Sequence, residues 1–448
     1  MKQLTALLAA LTFALAPLAA NAGLIRDAEI EHTLQLYSRP IFNAAGITPE
    51  DVRILIVDNP AINAYVAGGL NIFLHTGLIL ATTEPGMLIG VIAHETGHIS
   101  GAHLSQFRDK STRAAIGQAI GALLGVAAIA GGAKQAGAGV LAGSQNLVQK
   151  NFLSEIRVNE SSADQAALTF LDASDMSASG MLSMFEVLRS RESGGTARDP
   201  FLTDHPLTPE RIATVRNHAN ESKIPTGQVP DSFPALHARM IAKLIAFTST
   251  YDETLNRYPL SDSSVAARYA RAIAEYRRNA IDAALAGLNS LIKQHPKDPY
   301  FYDTKGQILF EHGRLLDAAT AYAKATTLAP DSALILTDYA KTLIAEDKPA
   351  EMLRAVALLE RSRDLDDSYD VTWRQLAIAY GKQGKLGASY EALAEEAALG
   401  GDYKTVLQHV ARARDDAKSD PQLQLQLDDL EREAKEQLGQ QKQRDSLF

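Results

Sequence analysis

The sequence predicts two folded parts: an α+β domain, mainly helical with a small sheet, followed by an all-α solenoid of helical repeats. Three observations predict this organisation. Strand-like and helical patterns alternate over residues 24–110. Proline and glycine are concentrated in residues 217–234, and a 34-residue repeat follows them. A chain of 448 residues can bury a core in each of two such domains.

Residues 1–22 have the pattern of a secretory signal. Lys2 precedes a run rich in Leu and Ala, which Pro17 interrupts, and residues 20–22 (Ala-Asn-Ala) match a small-x-small cleavage site. The apolar run is short for a membrane span, so we expect export and cleavage, with an N-terminal membrane anchor as the alternative.

The composition argues against sites that need cysteine and against nucleic-acid binding. The chain has no cysteine, so neither a lipoprotein anchor nor thiolate metal ligands are expected. Its formal net charge is −9, and removing the signal takes away one lysine and no acid. An acidic surface repels nucleic acid, so we expect no nucleic-acid binding.

The α+β domain is predicted to begin with a helix near residues 25–45 and to continue with strands at 52–57, 63–67 and 72–75. From Pro85 onward the pattern is helical. The predicted boundaries are a signal at 1–22, the α+β domain at 23–220, a linker at 221–236, the repeats at 237–440 and a tail at 441–448.

Two segments of this domain carry weaker signals. Residues 114–143 are rich in Gly and Ala, and small residues at regular spacing let helices approach closely. This favours a helical hairpin packed on the domain, with peripheral membrane contact or insertion as the alternative. Residues 190–203 contain Gly and charged residues, so we expect a loop there.

The second part has a 34-residue period typical of tetratricopeptide repeats, in which small residues let two helices pack closely and aromatic residues fill the space between layers. A frame that starts at Pro299 fits best, and frames from Val265 and Asp370 fit less well. The frame between them needs about three extra residues near 347–349. The matching positions of the best frame are Tyr302, Gly306, Ala318, Tyr322, Ala325 and Pro330.

The strongest chemical signal is the sequence His-Glu-Thr-Gly-His at residues 94–98. On a helix, residues four apart share a face, so His94 and His98 can reach one metal ion while Glu95 lies beside it. Zinc suits these ligands, because it keeps an open position for water and lowers the pKa of that water. Glu95 would take the proton of the attacking water as general base.

The third ligand has to come from elsewhere in the chain. Leu104 stands where one family of such enzymes would have a histidine, and His103 lies about 140° around the helix from His98. Glu160 and Asp164 are better candidates, because one carboxylate can bind metal while the other orients a ligand imidazole.

A further segment, residues 204–212, contains His205, Pro206 and Arg211, and a helix is expected to begin near residues 208–210. Peptide hydrolysis develops a negatively charged oxygen that needs positive charge or hydrogen-bond donors. Arg211, His205 or the zinc ion could supply it.

The predicted strand before the motif helix could bind substrate. Residues Asn71, Ile72, Phe73 and Leu74 could form an edge strand that takes an extended peptide by main-chain pairing. His75 follows them and could be considered as a fourth metal ligand, but a histidine at a strand end is more often structural.

Three of these segments together resemble the M48 family of zinc metallopeptidases. They are the motif at residues 94–98, the sequence Arg-x-Asn-Glu-x-x-Ala-Asp at 157–164, and His-Pro at 205–206 with an arginine five residues later. The resemblance implies one zinc ion per chain, bound by His94, His98 and Glu160. It also implies that Glu95 is the catalytic base, that Asp164 supports a ligand, and that His205 caps the zinc as a fourth ligand in a latent state.

With a signal ahead and repeats behind, the chain resembles the periplasmic, repeat-bearing members of that family. This implies that the clients are unfolded or stalled outer-membrane proteins, and that the repeats dock on the outer-membrane β-barrel assembly machinery. The residues themselves indicate only peptide hydrolysis. A repeat-based chaperone or adaptor with a mostly latent protease site is the alternative function.

Overall fold

The computed structural model describes residues 23–101, 156–193 and 200–445. They form two compact units, the first made of residues up to 26 together with 34–237, and the second of residues 27–33 together with the chain from 238. The predicted signal and the Gly/Ala-rich segment at 114–143 lie outside the described residues. Within the described ranges, no helix is both long enough and apolar enough to cross a membrane.

The small sheet of the first unit has four strands in the order β1-β2-β4-β3. β2 and β4 are parallel, and the other two pairs are antiparallel. The three predicted strands are confirmed, whereas the two-residue β1 was not predicted. The strands are β1 (Leu24–Ile25), β2 (Arg53–Val57), β3 (Ala64–Ala67) and β4 (Asn71–His75).

The prediction that residues 71–74 form a sheet edge is wrong. β4 lies between two strands, so that Leu74 pairs with Ile56 on one side and with Ala64 on the other. The reason is the connectivity: β3 folds back as a hairpin with β4, while β4 pairs in parallel with β2. Among the described residues, β3 is therefore the outer strand on this side of the sheet.

Helices α2 and α3 contact this sheet, and α3 carries the His-Glu-Thr-Gly-His motif. Pro85 occupies the first turn of α3, where its missing N–H costs no hydrogen bond. The helices of the first unit are α1 (Ala28–Ala44), whose first residues belong to the second unit, α2 (Thr76–Ala81), α3 (Pro85–Ser100), α4 (residues 156–173), α5 (Ser179–Ser193), α6 (Pro200–Asp204) and α7 (Pro209–Glu221).

Residues 190–203 were predicted to form a loop, and in their described part this is wrong. α5 continues to Ser193, and α6 begins at Pro200. α6 buries Phe201 and Leu202, so the apolar side chains of this short segment determine its conformation more strongly than the neighbouring Gly and charged residues.

The second unit is a stack of paired helices, which confirms the predicted all-α solenoid. Gly306 permits one of the close helix contacts, since an added Cβ would lie 2.9 Å from the ring of Tyr322. The helices are α8 (Phe233–Thr248), whose first residues belong to the first unit, α9 (Tyr251–Arg257), α10 (Val265–Arg277), α11 (Ile281–Gln294), α12 (Pro299–Glu311), α13 (Leu315–Leu328), α14 (Ala333–Glu346), α15 (Pro349–Leu365), α16 (Asp370–Lys382), α17 (Leu386–Leu399), α18 (Tyr403–Asp416) and α19 (Pro421–Asp445).

The three extra residues of the irregular repeat lie within α15 and not near residues 347–349. α15 has 17 residues, whereas the corresponding α13 has 14. The turn before α15 has two residues, one fewer than the turn before α13, and Asp347 ends α14 in a left-handed conformation (φ 56°).

Residues 27–33 pack with the repeats of the second unit. Lys243, which is 2% exposed, lies 2.8 Å from an oxygen of Asp27, and Arg239 lies 2.6 Å from Glu29. Ala28 belongs to the same apolar cluster as Tyr269 of α10. Residues 27–33 are therefore a structural part of the repeat unit.

Candidate active site

Two helices of the first unit bring the proposed metal ligands together. α3 carries His94 and His98 one turn apart, and α4 carries Glu160. The helices approach closely at Gly97, where an added Cβ would lie 2.6 Å from the carbonyl oxygen of Ala163. The glycine inside the motif is thus required by the packing that places Glu160 next to the two histidines.

His205, which follows α6, completes a group of four. One nitrogen or oxygen atom from each of His94, His98, Glu160 and His205 lies within 4.8 Å of the others, and no second group of this kind occurs in the described ranges. The Nε2 atoms of His94 and His98 are 3.1 Å apart, and each is 3.3 Å from a Glu160 oxygen. His205 Nδ1 lies 3.3 Å from His94 Nε2 and 3.2 Å from Glu160 Oε1.

These separations fit a metal ion at the centre of the group. In a tetrahedral zinc site the metal–nitrogen distance is about 2.0–2.1 Å, so neighbouring ligand atoms lie about 3.3 Å apart. The five measured separations, 3.1 to 3.3 Å, match that value. Two imidazoles and a carboxylate are also the donors that zinc uses in peptidases.

Glu95 lies next to this group without being one of the four. Its side chain is 1% exposed, and its Oε1 has no hydrogen-bond partner among the described residues. His205 Nε2 lies 3.6 Å from this oxygen. A buried carboxylate oxygen with no donor is placed to accept a proton from a reacting group.

Asp164 and Arg211 lie behind the ligands. Asp164 Oδ1 is 2.9 Å from His94 Nδ1, so it fixes the ring with Nε2 directed at the metal position. Arg211 Nε and Nη2 donate to the two oxygens of Asp164, at 2.6 and 2.8 Å. The remaining Arg211 nitrogen, Nη1, lies 2.8 Å from Glu160 Oε2 and 2.9 Å from the Pro206 carbonyl. One arginine therefore contacts Asp164, which orients His94, the carboxylate of Glu160 itself, and the main chain next to His205.

This donor set, its spacing and its supports are the arrangement of a metallopeptidase, and residues 26–219 match the model of Peptidase family M48. Residues 26–219 are an M48 peptidase domain. The protein is a metallopeptidase.

The M48 domain and the repeats together resemble curated bacterial proteases. The chain is 27% identical over 392 residues to the β-barrel assembly-enhancing protease of Yersinia pestis, covering 85% of this chain and 78% of that protein. It is 25% identical over 381 residues to the protein of the same name from Escherichia coli K12, covering 84% and 77%. Among solved structures, yeast Tom70 is 16% identical with a TM-score of 0.36, covering 69% of this chain and 61% of that one. At that score the structural match adds no argument.

The M48 site also holds its carboxylates in the charged form. Burial alone would raise the pKa of Asp164, but hydrogen bonds from Arg211 and His94 lower it below its ordinary value. Burial likewise opposes ionisation of Glu160, and its contacts with His205, His94 and His98 lower its pKa well below the ordinary value. Both groups are therefore available as anions for a cation and for the imidazole rings around it.

His205 is held in the M48 site by its own short helix. Its N–H donates to the Phe201 carbonyl at 2.7 Å, and its ring stacks on the Phe201 ring with centroids 4.7 Å apart. Phe201 N–H in turn donates to the carbonyl of Ile62, at 3.3 Å, and Asn63 Nδ2 lies 3.3 Å from Asp204. Residues 200–205, the His205 segment, are thus attached to the chain just before β3.

The structure brings together six of the residues that the sequence singled out: His94, Glu95, His98, Glu160, Asp164 and His205. Arg211 joins them as a support, with its donors directed at Asp164, Glu160 and Pro206. His75 is not in the group of four, and His103 lies outside the described residues. Asn63 and Phe201 were missed, because neither stands in a motif; only the apolar spacing before His205 could have indicated Phe201.

Proposed function

We propose that the protein is a periplasmic zinc endopeptidase, which degrades misfolded or stalled outer-membrane proteins and assists their assembly. The observation that carries the peptidase chemistry is the set of ligand separations near 3.3 Å with the buried Glu95 carboxylate beside them. One zinc ion per chain would be held by His94, His98 and Glu160. Zinc, when bound, supplies polarisation of the scissile carbonyl and of water.

The chain's own residues then have distinct tasks. Glu95 accepts the proton of the attacking water and passes it to the leaving amine. Asp164 keeps His94 in one tautomer and orientation, and Arg211 keeps Asp164 and Glu160 in place. Because the donors of Arg211 are already directed at Asp164, Glu160 and the Pro206 carbonyl, we assign it to positioning rather than to contact with the oxyanion.

The substrate is an extended peptide that pairs with β3. β3 packs beside the motif helix α3, and it is the outer strand of the described sheet. In the β3–β4 ladder, Asn63 accepts from His75 N–H, so the main-chain groups of Ala64 and Val66 face away from β4. A peptide bound there by main-chain hydrogen bonds is selected for being unfolded more than for its side chains.

The client class rests on the relatives. Those of Yersinia pestis and Escherichia coli are named β-barrel assembly-enhancing proteases, and this chain aligns with about three quarters or more of each. Unfolded outer-membrane proteins expose the strands that an edge such as β3 accepts. The repeat unit would dock on the assembly machinery of the outer membrane and bring such strands to the M48 site.

The decisive test is Glu95→Gln, which keeps the size of the side chain and removes the base. We expect this variant to retain one zinc ion per chain by elemental mass spectrometry and to lose cleavage of an unfolded outer-membrane protein. Cleavage at the wild-type rate would disprove the assignment. The same inactive variant should retain clients and the assembly machinery during purification from cells.

A second function is favoured by one observation: His205 Nδ1 lies 3.3 Å from His94 Nε2 and 3.2 Å from Glu160 Oε1, close enough to act as a fourth ligand. A site closed in this way would leave a repeat-based chaperone or adaptor with a mostly latent protease. If His205 is such a latch, His205→Ala raises proteolysis at unchanged zinc content. A loss of proteolysis in this variant would instead indicate that His205 takes part in the chemistry.

A further inference from the structure

The helix α5 contacts both the motif helix α3 and the helix α7, which carries Arg211. It approaches α3 closely, since an added Cβ at Gly90 would lie 2.7 Å from the Cβ of Met181. Gly90 stands one helical turn before His94 on α3. One turn of α5 is therefore packed against the part of α3 that leads into the metal ligands.

Phe185 extends this contact to Arg211. It follows Met181 by four residues on α5, so the two side chains share a face of the helix. The guanidinium carbon of Arg211 lies over the Phe185 ring, 5.3 Å from the ring centre, and both residues are 4% exposed. The same face of α5 thus contacts α3 through Met181 and Arg211 through Phe185.

The Phe185 ring acts in a direction that the hydrogen bonds of Arg211 leave open. The N–H groups of a guanidinium all point outwards in its plane. Those of Arg211 are directed at Asp164, Glu160 and the Pro206 carbonyl. Such bonds resist movement within the plane more strongly than movement out of it. The face of an aromatic ring carries negative charge and attracts a cation within about 6 Å, so Phe185 opposes the movement out of the plane.

We propose that Phe185 is a positioning residue of the metal site, which holds the Arg211 cation where it supports Asp164 and Glu160. This deepens the proposed function and rests on it, because it requires a metal ion bound beside Glu160. The attraction between a cation and a ring is stronger when both are shielded from water, as they are here. The ring also accepts none of the in-plane hydrogen bonds, so it does not compete with the two carboxylates for the donors of Arg211.

This role depends on the charge distribution of the ring and not on its size alone. If Phe185 only filled space, another apolar side chain of similar size would serve equally well. Fluorine atoms on the rim of the ring weaken its negative face and change its shape little. A less firmly held Arg211 leaves Asp164 and Glu160 less fixed, and the affinity for the metal falls.

The test is the zinc affinity of the full chain, measured by competition with a chelating dye. The wild type is compared with Phe185→Leu and with a protein that has trifluorophenylalanine in place of Phe185. Two controls match these changes. Met184→Leu alters a neighbouring side chain of α5 that is 1% exposed, and trifluorophenylalanine in place of Phe42 fluorinates an equally buried ring of α1.

We expect Phe185→Leu to weaken zinc binding about threefold to tenfold, which is less than the loss of a side chain that supports a ligand directly. Fluorination of Phe185 should weaken binding in the same direction. Both controls should bind zinc as the wild type does. If Phe185→Leu also lowers the thermal midpoint of the zinc-free protein, the fluorinated protein decides, because it keeps the size of the side chain.

Wild-type zinc affinity in the protein fluorinated at Phe185 would overturn the proposal. An equal loss of affinity on fluorination of Phe42 would overturn it too, because the effect would then not depend on Arg211. The outcome is separable from the proposed function. A wild-type protein that bound no zinc would refute both, whereas zinc binding that is insensitive to the Phe185 ring would refute only the positioning role.

Discussion

Arg211 Nε and Nη2 contact both carboxylate oxygens of Asp164, at 2.6 and 2.8 Å, in a pair that is nearly inaccessible to solvent. Asp164 in turn orients His94, and the same arginine reaches Glu160. The planar guanidinium matches a carboxylate at two points, which a lysine cannot do. The contacts of Arg211 therefore fix the geometry of His94 and Glu160, although Arg211 is not itself a metal ligand.

Arg211→Lys should weaken zinc binding by about tenfold to a hundredfold, because it keeps the charge and loses the paired geometry. The measurement is zinc affinity by competition with a chelating dye. Arg216→Lys on the same helix, where the side chain is 42% exposed, is the matched control and should bind zinc as the wild type does. Equal affinity in both variants would show that the pair is not needed to position the ligands.

Gly97→Ala should separate the two ligand-bearing helices. Its methyl group would lie 2.6 Å from the Ala163 carbonyl, so α3 or α4 has to shift, and Glu160 moves relative to His94 and His98. We expect a loss of zinc and a lower thermal midpoint, with a cost of about 1–3 kcal/mol for overpacking. Gly439→Ala in α19, where an added Cβ meets nothing within 4 Å, should be neutral or slightly stabilising.

Val66→Pro should raise KM for unfolded substrates. The Val66 N–H faces the open edge of β3, so proline removes a hydrogen bond offered to the substrate without breaking the ladder to β4. Zinc content should be unchanged. Val66→Thr keeps the N–H and the β-branched shape, and it should retain the wild-type KM; a similar KM for both variants would place the substrate elsewhere.

The repeat unit should lose stability as pH rises. Burial raises the pKa of Glu391 to about 7, with the neighbouring charge of Glu395 acting in the same direction. A folded-state pKa above the unfolded value of 4.5 means that this contribution is complete below pH 4.5 and is lost as pH rises through 7. The loss is at most roughly 3 kcal/mol.

Glu391→Gln tests this because the amide stays neutral at every pH. Urea unfolding of the full chain, followed by a probe in the repeats, should show wild-type stability falling between pH 5 and pH 8 more steeply than that of the variant. Glu436→Gln, at an exposed position of α19, should follow the wild type. If the wild type and Glu391→Gln gave parallel curves, Glu391 would not be the group responsible.

The residues that could be predicted are those whose role is local in sequence. His94 and His98 are one helical turn apart, so their common face follows from the spacing alone, and the same holds for Glu160 and Asp164. The repeats are equally local, because each helix pair contacts its neighbours in the chain.

What could not be predicted depends on tertiary contacts. The order of β3 and β4 in the sheet is decided by which strand pairs in parallel with β2, and residues 71–74 do not encode this. Phe201 acquires its role only because the chain before β3 lies beside it. Arg211 was considered for the oxyanion because its sequence neighbourhood does not reveal that Asp164, 47 residues earlier, receives its hydrogen bonds.

The ion pair between Lys243 and Asp27 spans 216 positions of the chain. Protein synthesis proceeds from the N-terminus, so residues 27–33 are made well before α8, with the rest of the M48 domain in between. Such a long-range closure is slow, because chain entropy opposes it until the partner helices exist. In a nascent chain halted before α8, residues 27–33 would lack their partners, and Ala28 and Glu29 would not be buried. Residues 27–33 can thus be buried only after α8 and α10 have been made.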